Sequence, residues 1–155
     1  MHSGRNVEVF ALSTRLTRLT RELSARDPDT ALARVADSAP GLSGGTRLGE
    51  AVGEFNRSWG ARGVARGAEV VVLSDGWDRG DPELLGREMA RLHRVAHRVT
   101  WVNPLKASPG YAPLAGGMAA ALAHVDEFVE GHSLASLEDL AALLADGADS
   151  AARPR

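Results

Sequence analysis

Two short stretches of the chain carry residue types that do chemistry, "GLSGGT" from Gly41 to Thr46 and "SDGWD" from Ser74 to Asp78. A glycine-rich turn that enters a helix exposes backbone N–H groups and the positive end of the helix dipole, a combination suited to an anion. A threonine hydroxyl and an aspartate carboxylate are hard oxygen donors, which match Mg²⁺ or Mn²⁺ far better than zinc or copper. Thr46 and Asp75 together could therefore hold half of an octahedral site. The same positions also serve plain structural ends, with Thr46 as a helix N-cap and Asp75 as the cap of a turn. Trp77 is open to a similar double reading, as ordinary packing or as an interface anchor at a loop tip.

Both stretches need elements that bring them to one place. "VVVL" from Val70, before Ser74, is an apolar, β-branched run bounded by turn residues, the pattern of a strand buried on both faces of a parallel sheet. Asp75 then falls at the strand's carboxyl end, where open α/β sheets bind ligands. Leu48, Val52, Phe55 and Trp59 recur at helical spacing behind "SGGT", so the glycine loop feeds a helix. Asp81 offers a cap with Pro82 in the first turn, and Leu85, Met89 and Leu92 form the buried stripe of the following helix.

Elsewhere strands and helices alternate, which predicts a three-layer α/β domain with a mostly parallel sheet and helices on both faces. Val7 to Ser13 reads as a first strand. The threonines of "TRLTRLTREL" favour an antiparallel edge strand over a helix. Asp27 and Pro28 start a short helix reaching Ala39, with Leu32, Val35 and Ala36 on its inner face. "HRVTWVNP" reads as a strand stopped by proline, and "PLAGGMAAALAHV" as a helix from Pro113. "VDEFVEG" is a last strand, and Ser136 with Asp139 three residues on opens a final helix in the capping-box pattern. The domain is expected over 1–146, with a frayed tail over 147–155.

Composition limits the function. The chain has 155 residues, 44% hydrophobic and 25% charged, which fits one globular domain with a sizeable core. A formal net charge of −2 provides no basic field for nucleic acid. With no cysteine, disulfides, zinc–thiolate sites and thiol nucleophiles are excluded, and a reducing cytoplasm is the expected location. No segment has the length and apolarity of a membrane span.

"LSGGTRLGEAVGEFN", then "VVVLSDGWDRGDPELLGREMARLHRVAHRVTWVNPL", then "HSLASLEDLAALL" resemble the CoxE-like von Willebrand factor A domains, and the resemblance runs from about Val7 to Leu144. It implies a Rossmann-like sheet with a metal-ion-dependent adhesion site at its carboxyl edge, in which Thr46 and Asp75 match two of the ligand positions. It also implies a non-enzymatic protein-binding role beside a MoxR-type AAA+ ATPase, in maturation or assembly of other proteins. In such domains an acidic residue of the partner fills an open metal position. Ser43, Gly44, Gly45, Gly76, Trp77 and Asp78 would then shape the rim that the partner meets.

One part of that pattern is absent from the sequence. No Asp-x-Ser-x-Ser occurs, and the family's order 3-2-1-4-5-6 would place the strand that carries it between the strands at Val7 and Val70. Three arrangements follow. The preferred one makes Met1 an internal methionine of a longer protein; in the second, the flanking strands close up directly; in the third, another chain donates the strand. Without that loop, Mg²⁺ or Mn²⁺ would bind weakly or not at all.

Two rival functions are weaker. A metal-dependent phosphoesterase using Asp75 and the "SGGT" loop would need a nucleophile or general base, and only Asp78 stands near. A nucleotide-binding subunit lacks both a Walker-type lysine and a Gly-x-Gly-x-x-Gly arrangement. His93 and His97 are four residues apart but show no third ligand, and a surface role at a helix end is favoured. His132, beyond the last strand, falls nearer the carboxyl edge, where a core or capping role is favoured over ligation.

Overall fold

The computed structural model describes residues 6–39, 46–60, 63–106, 108 and 116–151, with side chains described as far as 142. Strand β1 (Phe10–Leu12) pairs antiparallel with β2 (Leu16–Arg18), with Phe10 opposite Arg18 and Leu12 opposite Leu16. The threonine-rich stretch is thus a strand, and β1 is shorter than the Val7–Ser13 expectation. Helix α1 (Pro28–Ser38) starts as expected, for the Asp27 carboxylate accepts the Thr30 N–H at 2.8 Å. Of its expected inner face only Val35 is even half-buried. Leu32 is 64% exposed and Ala36 is exposed, while Ala31 and Ala39 are buried. Among the described residues the main neighbour of α1 is the 3₁₀ turn Glu22–Ser24, a single turn too short to cover a full helical stripe.

Helix α2 (Leu48–Phe55) runs into a π-helical turn, Asn56–Gly60. The β1–β2 hairpin rests on this pair: Phe10 meets Phe55 edge-on at 5.1 Å, and the Arg18 guanidinium lies 4.8 Å from the centre of the Trp59 ring system. Strand β3 (Glu69–Leu73), helix α3 (Pro82–His93), strand β4 (Arg98–Asn103), helix α4 (Gly116–Leu122), strand β5 (Glu127–Glu130) and helix α5 (Leu134–Ala151) follow in the expected alternation. The three strands are parallel in the order β3-β4-β5, with Val72 beside Trp101 and Trp101 beside Phe128.

Strand alternation divides the side chains between two faces. Val70, Val72, Val99 and Trp101 face Leu48, Val52, Leu85, Met89, Leu92 and Met118, so α2, α3 and α4 form one helical layer and the main core. On the other face α5 contacts β5, and Val129, Ser136 and Leu140 line a shallow hollow between them. Helices therefore flank both faces of the parallel sheet, as the α/β pattern implied.

Two helix starts differ from expectation. Residues 113–115, read as the beginning of α4, lie outside the described residues. Helix α5 opens at Leu134 rather than at Ser136, and the cap is a serine pair: Ser136 N–H donates to Ser133 Oγ at 3.2 Å, and Ser133 N–H donates to Ser136 Oγ at 3.0 Å. The reciprocal geometry is that of a capping box with serine in both places. The helix continues past Gly147 to Ala151.

β1 and β3 belong to separate sheets, and among the described residues no strand joins them. Direct closure of the flanking strands, one of the three arrangements open to the sequence, does not occur. The break falls where the resemblance places a further strand. β3 is consequently an edge strand despite its central-strand composition, and Leu73 at its end is 66% exposed.

Candidate functional site

The carboxyl ends of β3, β4 and β5 lie along one edge, because the three strands are parallel and in register. The segment leaving β3 is held there by β4. Ser74 N–H donates to Val102 O at 3.1 Å, and the buried Trp101 donates from its indole to Ser74 O at 3.0 Å. Asn103, the fully buried last residue of β4, donates from its amide to Asp75 O at 3.1 Å. The backbone of Ser74 and Asp75 is therefore anchored while the side chain of Asp75 stays exposed.

The loop then turns tightly. Asp75 Oδ1 accepts Trp77 N–H at 2.9 Å, the Asx-turn that gives an aspartate a structural use at this position. Gly76 has φ +81°, in the left-handed region, and a Cβ there would stand 2.5 Å from Met118 Sδ. Only glycine lets the loop lie so close over α4. The turn projects Trp77 into solvent, 76% exposed, which makes it the most exposed of the large apolar side chains among the described residues.

Asp78 links this loop to the start of α2. Its Oδ1 accepts the N–H groups of Leu48 and Gly80, each at 2.9 Å. A second bond runs alongside, from Arg79 N–H to Thr46 O at 3.0 Å. The structural reading of Thr46 as a helix cap is overturned, since α2 has Arg47 at its N-cap position with no side-chain bond. The capping oxygen for Leu48 comes from Asp78, thirty residues along the chain, and that leaves the half-buried Thr46 side chain outside the capping bonds.

The structure thus brings Thr46, Asp75, Gly76, Trp77 and Asp78 to adjoining loops at one edge. Ser43, Gly44 and Gly45 lie outside the described residues. Thr46 and Asp75 are the hard oxygen donors that Mg²⁺ or Mn²⁺ favours. They are two, and no group of three or more His, Asp or Glu able to hold a metal occurs among the described residues. The fit is one of donor type, short of a full protein cage.

The histidines go elsewhere. His93 Nε2 lies 3.0 Å from Asp126 Oδ1 and His97 Nε2 lies 3.7 Å from Glu69 Oε1, at the amino ends of the strands. Each takes its own carboxylate, so the four-residue spacing does not make a chelate. His132 lies beside the last strand and pairs loosely with Glu130 at 3.9 Å.

Sequence reasoning missed Trp101 and Asn103 as supports of the Asp75 loop. A polar residue ending an apolar strand immediately before Pro104 was the available signal for Asn103. Local spacing places Asp78 only at the rim, and its bond to a distant helix start has no signature there.

Neither a curated protein nor a solved structure matches the chain. The family described as VWA domain containing CoxE-like protein matches residues 1–137. With the parallel sheet, its flanking helices and the paired loops at the carboxyl edge in place, the chain belongs to the CoxE-like VWA family.

Proposed function

We propose that the chain is a non-enzymatic protein-binding module whose docking surface is the carboxyl edge of β3-β4-β5. The observation that carries this reading is the joining of two loops, by Arg79 to Thr46 and by Leu48 to Asp78, beneath an exposed Asp75 and an exposed Trp77. Loop side chains held on a rigid sheet edge are suited to recognition. Thr46 and Asp75 would hold a divalent cation weakly, Mg²⁺ or Mn²⁺, and when bound the cation supplies open positions for a partner's acidic residue. On this reading Gly76, Trp77 and Asp78 shape the rim, and the family resemblance would add Ser43, Gly44 and Gly45 to it.

Family membership supports a protein partner, and we take a MoxR-type AAA+ ATPase as the first one to test, in maturation or assembly of client proteins. We place this work in the cytoplasm, in keeping with a cysteine-free chain. Among the described residues no helix is long and apolar enough to cross a membrane. A phosphoesterase is less well supported. Asp78, the nearest general-base candidate, has one oxygen bonded to two amides and the other buried.

Titration calorimetry against a purified MoxR-type ATPase, with Mg²⁺ and then with chelator, tests the proposal. Asp75→Ala should abolish the binding heat and leave the circular dichroism spectrum unchanged. Unaltered binding by Asp75→Ala would overturn the reading, and Mg²⁺-dependent turnover of phosphate esters that Asp75→Ala removes would replace it with the enzyme.

A further inference from the structure

Asp78 bonds in two directions at once. Oδ1 accepts two backbone N–H groups, from Leu48 and Gly80, each at 2.9 Å. Oδ2 is buried and makes no hydrogen bond. It lies against two glycines, 3.4 Å from where a Cβ would stand on Gly80 and 3.4 Å from where one would stand on Gly117. A larger residue at Gly80 would press on Oδ1, 3.2 Å from the added Cβ, and one at Gly117 on the Asp78 Cβ, at 3.3 Å. Burying an unsatisfied carboxylate oxygen is unfavourable, so the two bonds at Oδ1 have to outweigh that cost.

Their location is informative. The Leu48 N–H is one of the orphan donors at the start of α2, and a negative charge there is further favoured by the helix dipole. One acceptor thus closes its own turn, at Gly80, and caps a helix from another part of the chain. Between those two bonds lies Arg79, whose N–H reaches Thr46 O at 3.0 Å. Among the described residues, both hydrogen bonds between the Asp75 loop and the Thr46 segment therefore involve consecutive residues, Asp78 and Arg79.

We propose that Asp78 is the positioning residue of the edge site: it locks the loop after β3 to the start of α2 and so fixes Asp75 relative to Thr46. The geometry stands independently of what binds; the consequence for a ligand rests on the protein-binding reading above. Asp78 need touch neither cation nor partner. Its work is to remove one degree of freedom, the sliding of one loop past the other, before anything binds.

Amide hydrogen exchange on the full 155-residue chain tests this. In Asp78→Ala, exchange should quicken by about tenfold or more at Leu48 and Gly80, which lose a charge-assisted bond. It should quicken also at Arg79, whose own acceptor Thr46 O is untouched. Asp78→Asn keeps Oδ1 as an acceptor, and its new amide faces the small space beside Gly80 that Glu50 Oε2 shares. That variant should keep most of the protection.

Mn²⁺ alone is the second probe, followed by water-proton relaxation. Asp78→Ala should weaken Mn²⁺ uptake by about tenfold, and Asp78→Asn should recover most of it. Unchanged exchange at Arg79 in Asp78→Ala would overturn the proposal. If the wild-type chain takes up no Mn²⁺, the cation-assisted part of the functional reading fails, and the exchange of Arg79 still decides the role of Asp78.

Discussion

Asn103 donates from its side-chain amide to the carbonyl oxygen of Asp75 at 3.1 Å, so a buried residue at the end of one strand sets where the neighbouring strand's loop begins. Asn103 Oδ1 meanwhile accepts Leu105 N–H at 2.7 Å. The same amide therefore organises the loops after both β3 and β4, and the exposed Asp75 side chain inherits its position from a buried residue that holds its backbone.

Replacing Asn103 by alanine should destabilise the fold by about 1–3 kcal/mol, because buried backbone groups lose their partners. Urea unfolding measures it. A change in midpoint with little change in slope is expected, since the surface exposed on unfolding stays nearly the same.

Gly76→Ala should cost more than a typical loop substitution. The backbone sits at φ +81° and the added methyl would meet Met118 Sδ at 2.5 Å. The left-handed backbone alone costs about 1–2 kcal/mol. Gly76→Ala with Met118→Ala should remove the collision and leave only the backbone penalty plus the cavity left by methionine, a non-additivity that a double-mutant cycle reads directly.

Trp77→Ala should separate binding from stability. The side chain is 76% exposed, so unfolding free energy should change by no more than about 0.5 kcal/mol. If Trp77 anchors a partner, affinity should fall by about 2 kcal/mol or more, near thirtyfold. Calorimetry against the same ATPase, alongside thermal unfolding, gives both numbers.

The Asp126 carboxylate provides a pH test remote from the site. Partial burial raises its pKa, but the bond with His93 and the Val99 N–H, at 2.7 Å, outweigh burial and leave the group below its ordinary value of 3.8. A group whose folded pKa is depressed contributes stability that is present above its unfolded pKa and is lost as pH falls through the folded one. The Tm should therefore decline from about pH 5 downward in the wild type, and Asp126→Asn should flatten that part of the decline. An identical pH profile in Asp126→Asn would show that the pair contributes nothing to acid sensitivity.

Much of the fold was legible because it rests on short-range rules. Asp27 and Asp81 each stand before a proline, and both cap the helices they precede. Leu85, Met89 and Leu92 repeat at helical spacing, and all three are buried. The serine start of α5 was misplaced because "HSLAS" contains two serines three apart, and a capping pair is symmetrical enough to be read from the wrong member. The inner face of α1 was misjudged for another reason: Leu32 and Ala36 have the right period, but period says only which residues share a face and not whether any surface lies opposite.

By itself, the sequence determined the alternation of strands and helices, the parallel character of the valine-rich sheet, and the arrival of Thr46 and Asp75 at adjoining loops, since each follows from residue type and spacing within a few turns of chain. Tertiary structure alone decided that β1 and β3 do not pair, that Thr46 is not the cap of its helix, and that Asp78 is. Those outcomes depend on which backbone groups remain unpaired after the strands and helices have packed. Hydrogen-bond demand of that kind is settled between segments far apart in sequence, where local pattern carries no record of the partner.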